Sequence, residues 1–333
     1  MTKDKADRRN IYLVQQRKRI RRRRRRLKCF LCRGIVFAVL FILAAVSVKM
    51  VKGLLPGNDE YAGRNVDQMQ SEASGKTTPP ENTLEPEAVN VSASDLISRG
   101  YDPEIVEELF TMAEQEPGVG MLLNQVMDYP EELLELLAKN KETLDFVLQY
   151  PKLKDSSTIS ENIDLADCYS PGEIPRFLQW DTRWGYCMYG NKLIATAGCG
   201  PTCLSMVMVG LTGDTRWNPG VLAQFSYEQG YCDKDNGTVW ALMTEGAGQL
   251  GLNSKVLNLD ENVIARELEA GHPVICSMRP GDFTTTGHFI VLCGYRNGQF
   301  IVYDPNSVVR SEETWSYETL QYQIKNIWAF SLP

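Results

Sequence analysis

The residue types best suited to nucleophilic chemistry are Cys199, His288 and Asp304, and their surroundings in the chain decide what they can do together. Cys199 lies in Thr196-Ala-Gly-Cys-Gly-Pro-Thr202, ahead of Leu204, Val207, Met208 and Leu211. Those apolar positions recur at i, i+3, i+4 and i+7, and Pro201 suits a first helical turn, so a buried helix is expected from here to near Gly213. The thiol then stands at a helix N-terminus, where amide donors and the macrodipole favour a thiolate. Cys203, one turn on, is the competing thiol, but it sits deeper in the apolar run. Two histidines are present, His272 and His288. His272 falls between Gly271 and Pro273 at a helix-to-strand junction, where a loop or capping role suffices. His288 opens the run Phe289 to Tyr295 and is the better base.

Asn297-Gly298 signals a turn that joins this run to Phe300-Ile-Val-Tyr-Asp304, forming a hairpin. A plain two-residue turn would set Asp304 opposite Val291, and the alternation of side chains would then put His288 and Asp304 on opposite faces. A three-residue loop of Arg296 to Gly298 sets Asp304 opposite Ile290 and makes the two diagonal neighbours, with backbones roughly 7 to 8 Å apart. The expectation is therefore an odd-length loop or a bulge, with Gly298 at positive φ and the Asp304 carboxylate within hydrogen-bonding reach of the His288 ring. Asn306 is a second polar residue able to orient that ring. Asp304 has a plainer reading too, as the cap of the Pro305-Asn306 turn.

Four motifs in order carry a resemblance: Gln179-Trp-Asp-Thr-Arg-Trp184, Gly198-Cys-Gly-Pro-Thr202, Gly287-His288-Phe and Tyr303-Asp304-Pro305. Together they resemble the C39-like branch of the papain-type cysteine peptidases. The resemblance covers roughly residues 174 to 330. It implies that Cys199 is the nucleophile, His288 the base, Asp304 its orienter and Gln179 a lining of the oxyanion hole. Taken without it, Gln179 is a polar loop residue between apolar neighbours, and Trp180 and Trp184 read as packing.

The chain has 333 residues and a formal charge of −7, but that charge is divided unevenly. Residues 1 to 33 hold 15 Lys or Arg and 2 Asp or Glu, which leaves 20 bases against 40 acids beyond them, a net of −20. The Arg17 to Lys28 cluster has the composition of a nucleic-acid tract. It abuts the uncharged run Gly34 to Val48, however, and that context favours a membrane. Fifteen helical residues span only about 22 Å, short of a ~30 Å hydrocarbon core, whereas Cys29 to Val51 suffices if Arg33 and Lys49 snorkel outward. The basic end then stays in the cytoplasm and everything after Lys49 crosses. Ala45-Val46-Ser47 also resembles a signal cleavage site, which gives a secreted form as the alternative. Either way the catalytic part is extracellular, as expected of an anchored or secreted bacterial protein.

The expected organisation is a basic tail over 1–28, a transmembrane signal-anchor over 29–51 and a flexible stalk over 52–94, rich in Gly, Ser, Thr, Pro and Glu. A helical module follows over 95–151, then a polar linker over 152–173 and the C39-like domain over 174–333. In the module, Asp102-Pro103 caps a helix whose face is Ile105, Val106, Leu109 and Phe110. Further helices are read at 121–127, 131–138 and 143–149, set off by Tyr129-Pro130 and Tyr150-Pro151. It is a spacer or docking unit, or else an inhibitory segment over the cleft. In the last domain helices are expected over 218–230, 238–251, 260–271 and 317–325, and strands over 255–259, 274–278, 289–295, 300–304 and 327–331. Helices first and an antiparallel sheet afterwards make an α+β fold; the resemblance implies a papain-like one, with the nucleophile helix on the sheet. A lone C-x-x-C at Cys29 and Cys32 is poor support for zinc, and no metal or cofactor is read. Cys203, Cys276 and Cys293 lie in apolar runs as small buried hydrophobes, and no disulfide is assigned. The expected activity is peptide-bond hydrolysis through an acyl-enzyme on a peptide or protein substrate. The alternatives are cleavage of peptidoglycan stem peptides by the same residues, or a catalytically silent binding module.

Overall fold

The computed structural model describes residues 89–233 and 237–333, all in the unit Pro80–Pro333. The basic tail, the apolar run and the stalk up to residue 88 lie outside the described residues. Among those described, no helix is long and apolar enough to cross a membrane.

Five helices open this unit: α1 (Ala93–Ser98), α2 (Pro103–Ala113), α3 (Pro117–Asn124), α4 (Glu131–Lys139) and α5 (Leu144–Leu153). Asp102 caps α2 as expected, its carboxylate accepting from the Glu104 amide at 2.8 Å ahead of the first-turn proline. Three boundaries differ from expectation, and one is the helix read over 121–127, which spans Pro117–Asn124. The first helix starts at Ala93, inside the stretch read as stalk, because Ser92 caps it and Leu96 is buried. Pro151 lies within α5 instead of ending the helix, close enough to the C-terminus that one missing amide bond is tolerated.

The stretch read as a polar linker is packed. Leu165 is buried, Ile159 and Ile163 lie against the same core, and the Ser160 carbonyl accepts from Asn218 Nδ2 at 2.8 Å. A small hairpin then forms from β1 (Met188–Tyr189) and β2 (Lys192–Leu193), followed by the short α6 (Ile194–Ala197). The central helix α7 spans Cys199–Thr212 and ends at Gly213 with φ 73°, where a left-handed glycine closes it. Next comes α8 (Pro219–Glu228), capped by Asn218. The segment 238–251 is not one helix. Gly237–Thr238 (β4) pairs with Cys232–Asp233 (β3), then a 3-10 turn over Trp240–Met243 precedes α9 (Glu245–Gln249). Gly246 and Gly248 weaken a longer helix there, and strand pairing takes its start.

The main sheet contains β5 (Asn253–Val256), β6 (Val274–Met278), β7 (His288–Arg296), β8 (Gln299–Tyr303), β9 (Thr314–Trp315) and β10 (Ile324–Ser331). Their order is β5-β10-β6-β7-β8-β9 and each pairing is antiparallel. Between β5 and β6 runs α10 (Glu261–Glu269); α11 (Val308–Glu312) and α12 (Tyr317–Leu320) flank β9. The strand read over 255–259 lies two residues earlier. The helix read over 317–325 stops at Leu320, because Ile324, Ile327 and Trp328 are buried by pairing with β6.

Strand alternation builds two cores. Ile275, Phe289, Val291 and Trp328 pack with Leu204 and Val207 of α7. Val274, Cys276, Ile290 and Leu292 pack with Ile264 and Leu268 of α10. The first helices form a third core, and it takes in Tyr186, Leu193 and Ala195 from the chain just before α7. This is the α+β organisation expected: helices early, an antiparallel sheet late, and α7 laid on that sheet.

Candidate active site

Two glycines fix where Cys199 can sit. A Cβ on Gly198 would lie 2.6 Å from the Ile194 carbonyl, and one on Gly200 would lie 2.5 Å from Thr238 Oγ1. The small-Cys-small run therefore reflects close packing of α6 and β4 against the first turn of α7. Cys199 is the first residue of that helix and is partly exposed, while Cys203 is fully buried. Burial pushes the Cys203 thiol well above the ordinary range, so it is a neutral packing group and not the reactive thiol.

The β7–β8 hairpin solves the facing problem with a bulge. Its turn is a plain two-residue one: Arg296 pairs with Gln299, with Asn297 at φ 52° and Gly298 at φ 74°. That is the positive-φ pair a tight hairpin needs, and the three-residue loop is not formed. Instead, the register shifts between Leu292, opposite Val302, and Gly294, opposite Ile301, leaving Cys293 as the extra residue. Beyond the bulge Val291 faces Tyr303, so Asp304 comes level with Ile290 and shares a face with His288. His288 Nε2 and Asp304 Oδ1 are 2.7 Å apart.

Asp304 is fully buried and saturated with donors. Besides His288, Oδ1 accepts from the Asn306 amide at 2.7 Å, and Oδ2 accepts from Arg310 Nε at 2.5 Å. The Asp304 amide donates to Ser311 Oγ at 2.9 Å. Burial works to raise this carboxyl, but the His288 and Arg310 charges and hydrogen bonds outweigh it and hold it below the usual range. For the ring the balance is similar. Burial opposes the imidazolium, yet the Asp304 charge and hydrogen bond, with a further hydrogen bond to the Cys199 side chain, raise the pKa of His288 to about 10. One ring nitrogen of His288 is bound to Asp304, and the ring lines the same cleft as Cys199. Asn306, the other orienter considered, bonds Asp304 through its backbone.

Gln179 is buried, and its Nε2 donates to the Ala195 carbonyl at 2.6 Å while its amide donates to Pro305 O at 2.7 Å. One Nε2 hydrogen remains uncommitted among the described residues, and Gln179 lines the same cleft as Cys199 and His288. Trp184 is fully buried core; Trp180 donates to the Asn306 carbonyl at 3.3 Å. His272 stands apart and pairs through Nδ1 with Glu267 at 2.9 Å.

The helical module reaches this centre. Glu142 accepts from Ser307 Oγ at 2.5 Å and from the Val308 amide at 2.7 Å, so it caps α11, the helix that carries Arg310. Asn140 Nδ2 donates to Asn306 O at 2.5 Å, and Thr196 Oγ1 donates to Glu132 of α4 at 2.6 Å. Residues of α4 form one wall of the cleft and leave Cys199 partly exposed. Sequence reading missed these contributors. Arg310 had a faint signal, a cation six residues after the aspartate, but nothing local marked Glu142 as a partner 165 residues distant.

Residues 172–330 match the family model described as the Peptidase C39 like family. Among solved structures, the peptidase domain of Streptococcus ComA, a bifunctional ABC transporter involved in quorum sensing, is 20% identical with a TM-score of 0.34, covering 41% of this chain and 93% of that one. A protein of Bacillus anthracis described as a C39-like peptidase is 15% identical with a TM-score of 0.29, covering 41% of this chain and 90% of that one. No curated protein matches the chain. Among the described residues, no group of His, Cys, Asp and Glu is arranged to hold a metal ion.

Proposed function

We propose that the chain is a cysteine peptidase in which Cys199 attacks the substrate carbonyl, His288 moves the proton and Asp304 holds His288. The carrying observation is His288 held by a buried, doubly paired Asp304 and bordering the same open cleft as Cys199, which stands at the start of a helix. Transfer of the thiol proton to the His288 ring makes the sulfur the nucleophile. Attack gives a tetrahedral oxyanion, toward which Gln179 offers its remaining Nε2 hydrogen. The imidazolium then protonates the leaving amine, an acyl-thioester remains, and water activated by the same ring releases it.

The domain is read as working outside the cell, carried by the basic block and the apolar run that follows it. Protease added to intact cells should digest the domain while a tag ahead of Met1 stays protected; an accessible tag overturns that topology. Chemistry is tested by incubating the full chain with a diverse peptide pool and, separately, with purified peptidoglycan, followed by mass analysis. New peptide termini that vanish in Cys199→Ala are expected. Fragments from peptidoglycan alone would move the assignment to a wall hydrolase, and no Cys199-dependent product from either would leave a binding module.

A further inference from the structure

Cys199 stands at the junction of two cavities, both bordered by Lys192, Thr196, Gly287 and His288. The first, about 450 Å³, runs toward α4, and apart from the shared Lys192 its charges are of both signs and engaged locally: Glu135 with Lys139, Arg310 with Asp304, Glu132 with Thr196, Asp282 with Gln323. The second, about 910 Å³, differs in kind. Among the described residues, its charged lining besides the His288 ring is Lys192, Arg279 and Lys325, with no carboxylate. These three side chains are exposed, and none forms an ion pair with a described residue. The Lys325 ammonium lies 5.1 Å over the ring of Trp240, a tryptophan 40% exposed whose Nε1 donates to Ser277 Oγ at 3.2 Å.

Three unneutralised cations around an exposed aromatic face make a site for an anion attached to an extended chain. The cavity opens on the thiol, so what occupies it is continuous with what is cleaved. The rest of the molecule has the opposite sign, with a net of −20 beyond residue 33, and that makes a purely cationic patch here a local departure. We infer that this second cavity binds a carboxylate-bearing segment of the peptide substrate, placing acidic residues beside the bond presented to Cys199. The inference rests on the peptidase reading for the word substrate, but the anion site itself does not.

The test separates the two. Full-length Cys199→Ala protein, purified in a neutral detergent, does not turn over and reports binding alone. Three fluorescent peptides of one length serve as probes: a Glu-containing peptide with an amidated C-terminus, its Gln isostere with a free C-terminal carboxylate, and the Gln isostere amidated. Exposed charge pairs are individually weak, so the three cations together should tighten the Glu peptide by about tenfold over the amidated Gln peptide. Arg279→Glu with Lys325→Glu should bring it level; Arg279→Gln with Lys325→Gln serves if the reversal does not fold. Tight binding of the free-carboxylate peptide alone would assign the site to a chain terminus and overturn side-chain recognition. Equal binding of all three, or a preference that survives both double variants, overturns the site. Binding of the Glu peptide with no Cys199-dependent cleavage by the wild-type chain would instead overturn the peptidase reading and leave the anion site standing.

Discussion

Asp304 has two positive groups on it, the His288 ring at 2.7 Å and Arg310 Nε at 2.5 Å, with no exposure to water. Removing the carboxylate leaves buried charge uncompensated, which costs about 3 to 5 kcal/mol. Asp304→Asn should therefore be destabilised by that order, and the His288 pKa should fall from about 10 to below the ordinary histidine value near ~6.5, since burial then acts almost alone. Titration of the His288 ring protons by NMR, with His272→Gln removing the second histidine, checks this; an unchanged pKa would detach the ring from Asp304. Stability should follow pH at both ends. The His288 contribution is whole below about pH 6.5, shrinks above it and is gone once pH passes about 10, because the folded-state pKa is raised. The Asp304 contribution is present above about pH 3.9 and is lost as pH falls through its lowered folded value. Urea midpoints measured across pH should drop on both sides, and His288→Gln should abolish the alkaline drop.

At the scale of elements, the bulge at Cys293 decides whether the hairpin can serve the site. Alternation made most strands legible: the span Val274–Met278 is read as it stands, and the β7–β8 pair is found to within a residue at each end. The need for a register shift was legible too, from the parity of His288 and Asp304. The kind of shift was not, since a bulge in mid-strand is set by packing: beyond it Tyr295 turns toward Phe300, their rings 4.8 Å apart. Deleting Cys293 should give a continuous ladder with Val291 still opposite Tyr303, keep His288 beside Asp304 and preserve thiol labelling, as should Cys293→Ala. Loss of labelling in a folded deletion variant would contradict the placing of Cys293 as the extra residue. The Glu142 cap on α11 makes a second case. Glu142→Ala should cost about 1 kcal/mol, as lost caps do, and slow turnover more than it weakens substrate binding, since it acts through the loop bearing Asp304. Urea unfolding and steady-state kinetics would show it.

For the molecule as a whole, the helical module and the segment that matches the C39 like family model share a core. Phe146 stacks on Tyr186 with centroids 4.2 Å apart, the Tyr186 hydroxyl donates to Phe146 O at 2.6 Å, and Leu193 is buried in the same cluster. The sequence suggested a separate module and linker because residues 152–173 are polar in the main, with Ile159, Ile163 and Leu165 too sparse to show a period. A chain starting at Asp155 would uncover Tyr186 and Leu193, at about 3 kcal/mol or more, and should lose cooperative unfolding; one starting at Ala88 should keep it. Melting curves of the two separate these outcomes. Cys199 remains the point on which the functional account turns, and one measurement bears on it most directly. Full-length chain is treated near neutral pH with a limiting amount of a thiol-reactive electrophile, digested and mapped by mass spectrometry, with a parallel sample assayed for peptide cleavage. The account predicts modification at Cys199 ahead of Cys168, Cys187, Cys203, Cys232, Cys276 and Cys293, and loss of cleavage in proportion to it. Modification of Cys203 at an equal rate, or full cleavage by a chain whose Cys199 is completely modified, would contradict it.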